Sequence, residues 1–153
     1  MNDRRFTSNT SLAWYATIVL TATYTFSFID RQIVNLLVEP IKADLQLSDT
    51  QISFLQGLAF VVPYLILSIP VGRLVDTVSR VKVLIGGIIF WSAACVFCGF
   101  SKTMTQLAIG RMGVGAGEAS VTPAAWSLLA DYFPEEKRGL PVSIFLMGPY
   151  LGA

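Results

Sequence analysis

The sequence predicts an all-α, polytopic membrane protein, and three observations carry that prediction. Hydrophobic residues occupy 54% of the 153 positions, and charged residues occupy only 14%. The mean hydropathy is +0.62, well above that of ordinary globular domains. Apolar segments recur along the chain at about the 20-residue length that spans the roughly 30 Å hydrocarbon layer of a bilayer. We therefore expect a bundle of transmembrane helices.

The apolar segments define four complete spans and the start of a fifth. The complete spans cover about 11–38, 52–74, 81–100 and 104–130, and an incomplete one covers 139–153. Short loops between them predict antiparallel neighbouring helices and leave no room for a soluble catalytic domain. The first span is too long for a cleaved signal peptide and lacks a clear cleavage site, so we expect it to remain as an anchor. Residues 1–10 form a separate amino-terminal segment, and 11–153 form a partial helix bundle.

The basic residues predict the orientation of the bundle. Two loops would hold only Lys42 and Lys102. The segments on the other side carry seven basic residues, namely Arg4, Arg5, Arg73, Arg80, Lys82, Lys137 and Arg138. Short cytoplasmic loops collect lysine and arginine, so we expect a multi-pass protein of the cell membrane with a cytoplasmic amino terminus.

The composition also excludes several classes of function. A net charge of +1 provides no basic surface for nucleic acid. The chain has no histidine, so protonation near neutral pH would fall to carboxylates. Cys95 and Cys98 have the spacing of a redox or metal motif, but they lie in an apolar segment without a second pair. We interpret them as small buried side chains and expect neither a metal nor a cofactor.

The fourth span is rich in small residues, in the stretch "GRMGVGAGEAS". Gly113 and Gly117 are four residues apart, and Gly110, Ala116 and Ser120 extend a smooth surface on which another helix can pack closely. A nucleotide-binding glycine loop would need a preceding strand and a following acidic residue, and both are missing here.

Charged side chains inside the spans mark the candidate site. The stretch "TYTFSFIDRQIVNLL" contains Asp30 and Arg31, and the fourth span contains Arg111 and Glu118. Arg111 and Glu118 are seven residues apart, so they lie on nearly the same helix face, about 10 Å apart in height. Charges at membrane depth are costly and usually line a substrate or ion path. The alternative is that these residues only form ion pairs that hold two helices together.

Each of these charges has an expected role. Glu118 is the first candidate for a proton carrier, because it falls near the middle of its span, and Asp30 is the second. Arg31 or Arg111 would set the charge of that carboxylate or hold an anionic group of a substrate, since a guanidinium matches carboxylate and phosphate geometry.

The loop after the second span reads "GRLVDTVSRVKVL". Gly72 would let two helices cross closely, Asp76 would cap or face the start of a helix, and Arg80 would anchor the turn at an anionic membrane face. The spacing resembles the cytoplasmic signature of the major facilitator superfamily, G-x-L-a-D-r-x-G-r-[RK]. The chain matches it at Gly72, Leu74, Asp76 and Arg80 and departs from it at Thr77 and Ser79. The resemblance implies that Gly72, Asp76 and Arg80 belong to a conformational switch motif, in which Asp76 acts in switching between states rather than in substrate binding.

Two further stretches resemble the same family in the expected order. "RMGVGAGEA" at 111–119 is similar to the fourth-helix signature, and "ADYFPEEKRG" at 130–139 is similar to the loop that leads into helix five. The resemblance implies a major facilitator-type bundle, the truncated amino-terminal part of a carrier with twelve helices in two halves. The carboxy-terminal half would then be missing from this chain.

A narrower resemblance is to the spinster-like branch, which pairs Asp-Arg in helix one with "GxGEAS" in helix four. Asp30, Arg31, Arg111 and Glu118 fit that pattern one by one, and the branch implies lysolipid or sphingolipid substrates. "GPYLGA" at 148–153 resembles a fifth-helix antiporter signature without its leading glycine, which leaves symport and antiport open.

The favoured function is a secondary transporter that moves a small organic or amphipathic solute by alternating access, coupled to protons. Its partners would be a small-molecule or lipid-like substrate, protons and membrane lipids. One alternative is a membrane scaffold or assembly subunit without transport activity. Another is an intramembrane enzyme that uses Asp30 and Glu118 as acid and base, but the sequence has no nucleophile constellation to support it.

Overall fold

The computed structural model describes residues 10–153, and the all-α prediction is confirmed. Residues 1–9, with Arg4 and Arg5, lie outside the described range. The helices in chain order are α1 Thr10–Leu36, α2 Val38–Leu45, α3 Asp49–Gln56, α4 Leu58–Thr77, α5 Arg80–Gly99, α6 Met104–Glu118, α7 Val121–Tyr132, α8 Gly139–Leu146 and α9 Gly148–Gly152. A short 3-10 helix, Glu135–Lys137, lies between α7 and α8. Helix α6 packs between α4 and α5, and α1 packs against α7, α8 and α9.

Three helical segments in the described range are long and apolar enough to cross a membrane. They are Thr10–Leu36, Asp49–Thr77 and Arg80–Gly99, and they correspond to the first three predicted spans. The second span begins at Asp49 rather than near residue 52 because Ser48 forms a capping box with Gln51. That box satisfies two backbone donors that the start of a helix otherwise leaves unpaired.

The fourth predicted span was expected to be one helix over 104–130, and this is wrong. The structure has two helices there, α6 and α7, with a turn at Ala119 and Ser120 between them. The physical reason is Pro123, which has no N–H to donate and whose ring would clash with the carbonyl four residues earlier. The fifth segment is divided in the same way before Pro149, as its proline and glycine predict.

The segment between the first and second spans is more ordered than the sequence predicts. Helix α1 ends at Leu36, not at 38, and α2 follows after a single residue. Gln46 ends α2 in the left-handed conformation, with φ 52°. Ile41 and Leu45 of α2 pack against a small apolar cluster that includes Leu47. This loop therefore covers one end of the bundle.

The predicted smooth face of the fourth span is found where α6 meets α5. A Cβ atom at Gly117 would lie 2.7 Å from the backbone nitrogen of Trp91, and one at Gly113 would lie 3.0 Å from Cβ of Ala94. The two helices can approach this closely only because glycine has no side chain. The crossing expected at Gly72 is not found among residues 10–153, because a Cβ there would meet no atom within 4 Å.

Candidate functional site

Glu118, the last residue of α6, is the most deeply buried acidic side chain of the site, with 1% of its surface exposed. Its Oε2 atom accepts hydrogen bonds from Ser27 Oγ at 2.6 Å and from Nε and Nη2 of Arg31 at 3.0 and 2.5 Å. Its Oε1 atom is also buried but has no hydrogen-bond partner in the part of the chain that the structure describes. The carboxylate is therefore paired on one oxygen only.

Local helix geometry explains how these three residues meet. Ser27 and Arg31 are four residues apart on α1, so they share one helix face. A Cβ atom at Gly115 would collide with the backbone carbonyl of Phe60, so α6 also lies directly against α4. This close packing holds Glu118 in the interior, opposite α1.

Arg31 is surrounded by aromatic rings as well as by the carboxylate. Its guanidinium carbon lies 4.7 Å from the ring centre of Phe28, 4.6 Å from that of Phe60 and 5.7 Å from that of Tyr64. Such contacts attract a cation where water is scarce. About 27% of the Arg31 side chain remains exposed, so this residue is accessible in a way that Glu118 is not.

Asp30 lies in a different environment from its neighbour Arg31. Its Oδ2 atom accepts a hydrogen bond from Nε1 of Trp91 on α5, and Sγ of Cys95 lies 3.6 Å from the same oxygen. Cys95 and Cys98 are both free thiols. Sequence reasoning missed the contact with Trp91, because no motif or spacing relates two residues 61 positions apart.

Arg111 does not pair with Glu118, although both lie on α6. It is 4% exposed and forms no ion pair among residues 10–153, and its Nε has no hydrogen-bond partner there. Its guanidinium carbon lies 5.2 Å from the ring centre of Phe60. Arg111 and Asp30 both line a cavity of about 360 Å³. Of the two candidate arginines, the structure brings Arg31 to the buried glutamate.

The motif that begins in α4 and continues into α5 contributes an ion pair at the other end of the bundle. Arg80, the first residue of α5, pairs with Asp131 near the end of α7. Asp76 is exposed, and no hydrogen bond or ion pair joins it to another described residue. Its expected capping role is wrong, because the N-cap of α5 is Ser79 and no side chain accepts a hydrogen bond there.

A third ion pair joins α2 to the start of α3. Lys42 donates to the carboxylate of Asp49, and this hydrogen bond and the opposite charge together raise the pKa of Lys42 above its ordinary value of 10.5. Asn35 and Gln56 are hydrogen-bonded at 2.9 Å, which links the end of α1 to the end of α3. These contacts hold residues 37–48, which contain α2 and are called the α2 loop below, against the bundle.

Comparisons with known proteins agree on one family. The family model for the Major Facilitator Superfamily matches residues 20–153. An MFS-type efflux pump of Mycolicibacterium smegmatis is 36% identical over 132 residues, which are 86% of this chain and 31% of that protein. A probable L-galactonate transporter of Escherichia coli is 30% identical over 126 residues, 82% of this chain and 28% of that protein.

A solved structure has the same fold. It is a bacterial homologue of the human lysosomal transporter Spinster, in an inward-facing and unoccupied conformation. It superposes with a TM-score of 0.91 at 34% identity, and the match covers 95% of this chain and 30% of that one. The chain thus spans about a third of the length of the proteins that it matches.

Proposed function

Because the chain belongs to the Major Facilitator Superfamily, we propose that it forms the amino-terminal part of a proton-coupled secondary transporter. The solute would be a small organic or amphipathic molecule. The proteins similar to this chain include an efflux pump, a hexuronate transporter and a probable L-galactonate transporter, so their names agree on transport but not on one substrate. The resemblance of the first and fourth spans to the spinster-like branch implies an amphipathic, lipid-like solute.

The observation that carries this proposal is the one-sided pairing of Glu118. Its Oε2 atom accepts three hydrogen bonds, and its buried Oε1 atom accepts none from the described residues. A buried acceptor without a partner is unfavourable. A proton on Oε1 would remove the negative charge without breaking any of the hydrogen bonds to Oε2. Glu118 can therefore exist in two protonation states within the same packing.

The two states give a coupling mechanism. When Glu118 is ionised, it holds the guanidinium of Arg31. When Glu118 is protonated on Oε1, Arg31 keeps its hydrogen bonds to Oε2 but loses its opposite charge, so its guanidinium can attract an anionic group of the solute. Alternating access would expose this pair to one side of the membrane and then to the other, so that proton and solute movements are linked.

The decisive experiment uses the complete carrier in liposomes with the variant Glu118→Gln. A neutral amide imitates only the protonated carboxyl group. We expect solute exchange between equal concentrations to continue, and uphill accumulation driven by a pH gradient to be lost. Glu135→Gln is the matched control, because Glu135 is exposed and lies in the loop before α8.

Asp30 is the competing proton carrier. If Asp30→Asn abolishes accumulation and Glu118→Gln does not, the coupling role belongs to Asp30. If both variants accumulate solute normally, neither carboxylate carries the coupled proton and the proposal fails. Loss of both exchange and accumulation in Glu118→Gln would instead favour a purely structural ion pair between α1 and α6.

We also propose that the amino terminus and the loop between α4 and α5 are cytoplasmic and that the α2 loop is external. The distribution of basic residues supports this orientation. Single cysteines at positions 80 and 44, in place of Arg80 and Asp44, can be labelled from each side of intact cells. The orientation requires that an impermeant thiol reagent added outside label only position 44.

The scaffold alternative predicts that a membrane containing the complete protein shows no saturable solute flux. The enzyme alternative is less favoured, since the similar proteins named above are transporters. An enzyme would convert a radiolabelled solute into a different compound. Chromatography of the radiolabelled material after incubation with the protein would reveal that conversion.

A further inference from the structure

The ring of Phe60, in the first turn of α4, contacts the guanidinium groups of both arginines of the candidate site. Its centre lies 4.6 Å from the guanidinium carbon of Arg31 and 5.2 Å from that of Arg111. Both distances are within the range of about 6 Å in which an aromatic ring attracts a cation. Phe60 is itself 5% exposed. The two guanidinium groups are therefore close neighbours that share one buried ring.

These neighbouring arginines differ in their pairing with Glu118. Arg31 donates to Oε2 of Glu118 through Nε and Nη2. Arg111 is 4% exposed and forms no ion pair among residues 10–153. Nε of Arg111 and Oε1 of Glu118 are both buried without a hydrogen-bond partner in the described range. A cationic donor and an anionic acceptor are thus left unpaired on the same helix, which is unfavourable for each of them.

Distance along α6 does not by itself explain why Arg111 and Glu118 stay apart. Seven residues correspond to about 10 Å of rise. Side chains of a helix lean toward its amino terminus, so Glu118, the later residue, leans toward Arg111. Arginine and glutamate both have long side chains, which could meet across two turns if nothing lay between them. Another group must therefore occupy the space between their ends.

Phe60 is packed on α6 at the level between these two side chains. Gly115 follows Arg111 by four residues and precedes Glu118 by three, so all three lie on one face of α6. A Cβ atom at Gly115 would lie 2.3 Å from the carbonyl oxygen of Phe60 and 3.4 Å from its Cα atom. The backbone of Phe60 is therefore held against α6 between Arg111 and Glu118, and its apolar ring lies against the guanidinium of Arg111.

We propose that Phe60 is a positioning residue that restricts Glu118 to Arg31 as its partner. While the ring is in place, Arg111 stays against it and Oε1 of Glu118 stays free to take a proton. Without the ring, Arg111 would donate to Oε1, and a carboxylate held by two guanidinium groups stays ionised. The consequence for transport rests on the proposed proton coupling, whereas the choice of ion-pair partner does not.

The first test measures pairing alone, by thermal unfolding of the purified complete carrier in a non-ionic detergent. The midpoints of Arg111→Gln, Glu118→Gln and the double variant form a cycle, in which a departure from additivity reports the interaction between the two side chains. With Phe60 present, we expect the two shifts to add within about 1 °C. When the same cycle is measured in the Phe60→Leu protein, we expect a departure of about 2 °C or more, because Arg111 then pairs with Glu118.

Two further variants separate the position of the ring from its contribution to packing. Phe145→Leu is the matched control, because Phe145 is also buried and stacks on Tyr24, and no arginine of the described range lies over its ring. It should lower the midpoint as Phe60→Leu does and leave the cycle additive. Phe60→Tyr keeps the ring and should also leave the cycle additive. If Phe60→Leu does not fold, Phe60→Met repeats the test without an aromatic ring.

The second test measures solute exchange between equal concentrations in liposomes. Phe60→Leu should slow exchange by about tenfold or more, because an additional charge-assisted pair keeps Glu118 ionised and Arg31 held. Adding Glu118→Gln to Phe60→Leu should restore exchange, since a neutral amide attracts neither arginine strongly, whereas a packing defect would not be repaired in this way.

The two tests fail in distinguishable ways. If the cycle becomes non-additive in Phe60→Leu but exchange is unchanged, the positioning role of Phe60 stands and the proposed coupling through Glu118 is contradicted. The positioning role is overturned if the cycle stays additive after Phe60→Leu, if it is already non-additive with Phe60 present, or if Phe145→Leu changes it equally.

Discussion

Gly117 provides a direct test of how α6 is held against α5. A Cβ atom at this position would lie 2.7 Å from both the backbone nitrogen and Cβ of Trp91 and 2.8 Å from the carbonyl oxygen of Gly87. Carbon atoms in favourable contact are about 3.5–4.0 Å apart. The neighbouring atoms belong mainly to backbone, so Gly117→Ala must separate the two helices by most of an ångström. Overpacking of this kind costs about 1–3 kcal/mol.

Gly86→Ala is the matched control on the adjacent helix. A Cβ atom at Gly86 would meet no atom within 4 Å. Replacing a helical glycine with alanine there should stabilise the protein by about 0.5–1 kcal/mol, because alanine loses less backbone entropy on folding. The two variants should therefore differ by about 1.5–4 kcal/mol in the free energy of unfolding, although they make the same chemical change.

The assay is thermal unfolding of the purified carrier in detergent, followed by a dye that reacts with exposed thiols. One kcal/mol corresponds to about 2–4 °C for a domain of this size. We expect the midpoint of Gly117→Ala to fall and that of Gly86→Ala to stay or rise. Equal midpoints for the two variants would show that α5 and α6 are not in backbone contact at Gly117. The packing that holds Glu118 in place would then need another explanation.

Three further predictions concern charged residues near the ends of helices. Arg80→Gln and Asp131→Asn should each destabilise the carrier, because each removes one partner of the ion pair. A double-mutant cycle should give a coupling energy of about 0.2–1 kcal/mol, which is typical of partly exposed ion pairs. A coupling energy of zero would mean that the pair does not form. Asp76→Asn should slow exchange without weakening solute binding, measured by equilibrium binding and by flux, and the reverse pattern would count against a switching role. The ion pair with Asp49 raises the pKa of Lys42 above 10.5. The stabilisation of the folded protein by this pair should therefore be fully present below about pH 10.5 and should be lost as the pH rises through the raised pKa of Lys42. The difference in melting temperature between wild type and Lys42→Met should therefore disappear in strongly alkaline buffer, and a difference that persists there would have another origin.

The sequence by itself determined most of the helical framework. Apolar length predicts where spans occur, because the thickness of the hydrocarbon layer sets a minimum helix length. The small residues around Gly113 and Gly117 predicted a close helix contact, because only residues without bulky side chains permit one. Pro123 also indicated a break in the fourth span, because proline interrupts a helix. The continuous apolar pattern of 104–130 nevertheless predicted a single helix.

The sequence also identified the four charged residues of the spans, since charges at membrane depth are rare and costly. Helix periodicity placed Arg111 and Glu118 on one face of their helix. Periodicity relates residues within a helix, but it does not specify which neighbouring helix that face meets. The roles of these residues in coupling and binding stay predictions until the transport experiments are done.

Only the tertiary structure decided which charges are partners. Arg31 reaches Glu118 across 87 positions of sequence, and Asp30 accepts a hydrogen bond from Trp91 instead. Arg111 lines a cavity together with Asp30 but forms no ion pair among residues 10–153. Adjacent residues of a helix point in directions about 100° apart, so Asp30 and Arg31 face different neighbours although they are consecutive in the chain. The physical reason is that the packing of α6 between α4 and α5 fixes which helix face each side chain meets, and this packing depends on contacts distributed over the whole bundle.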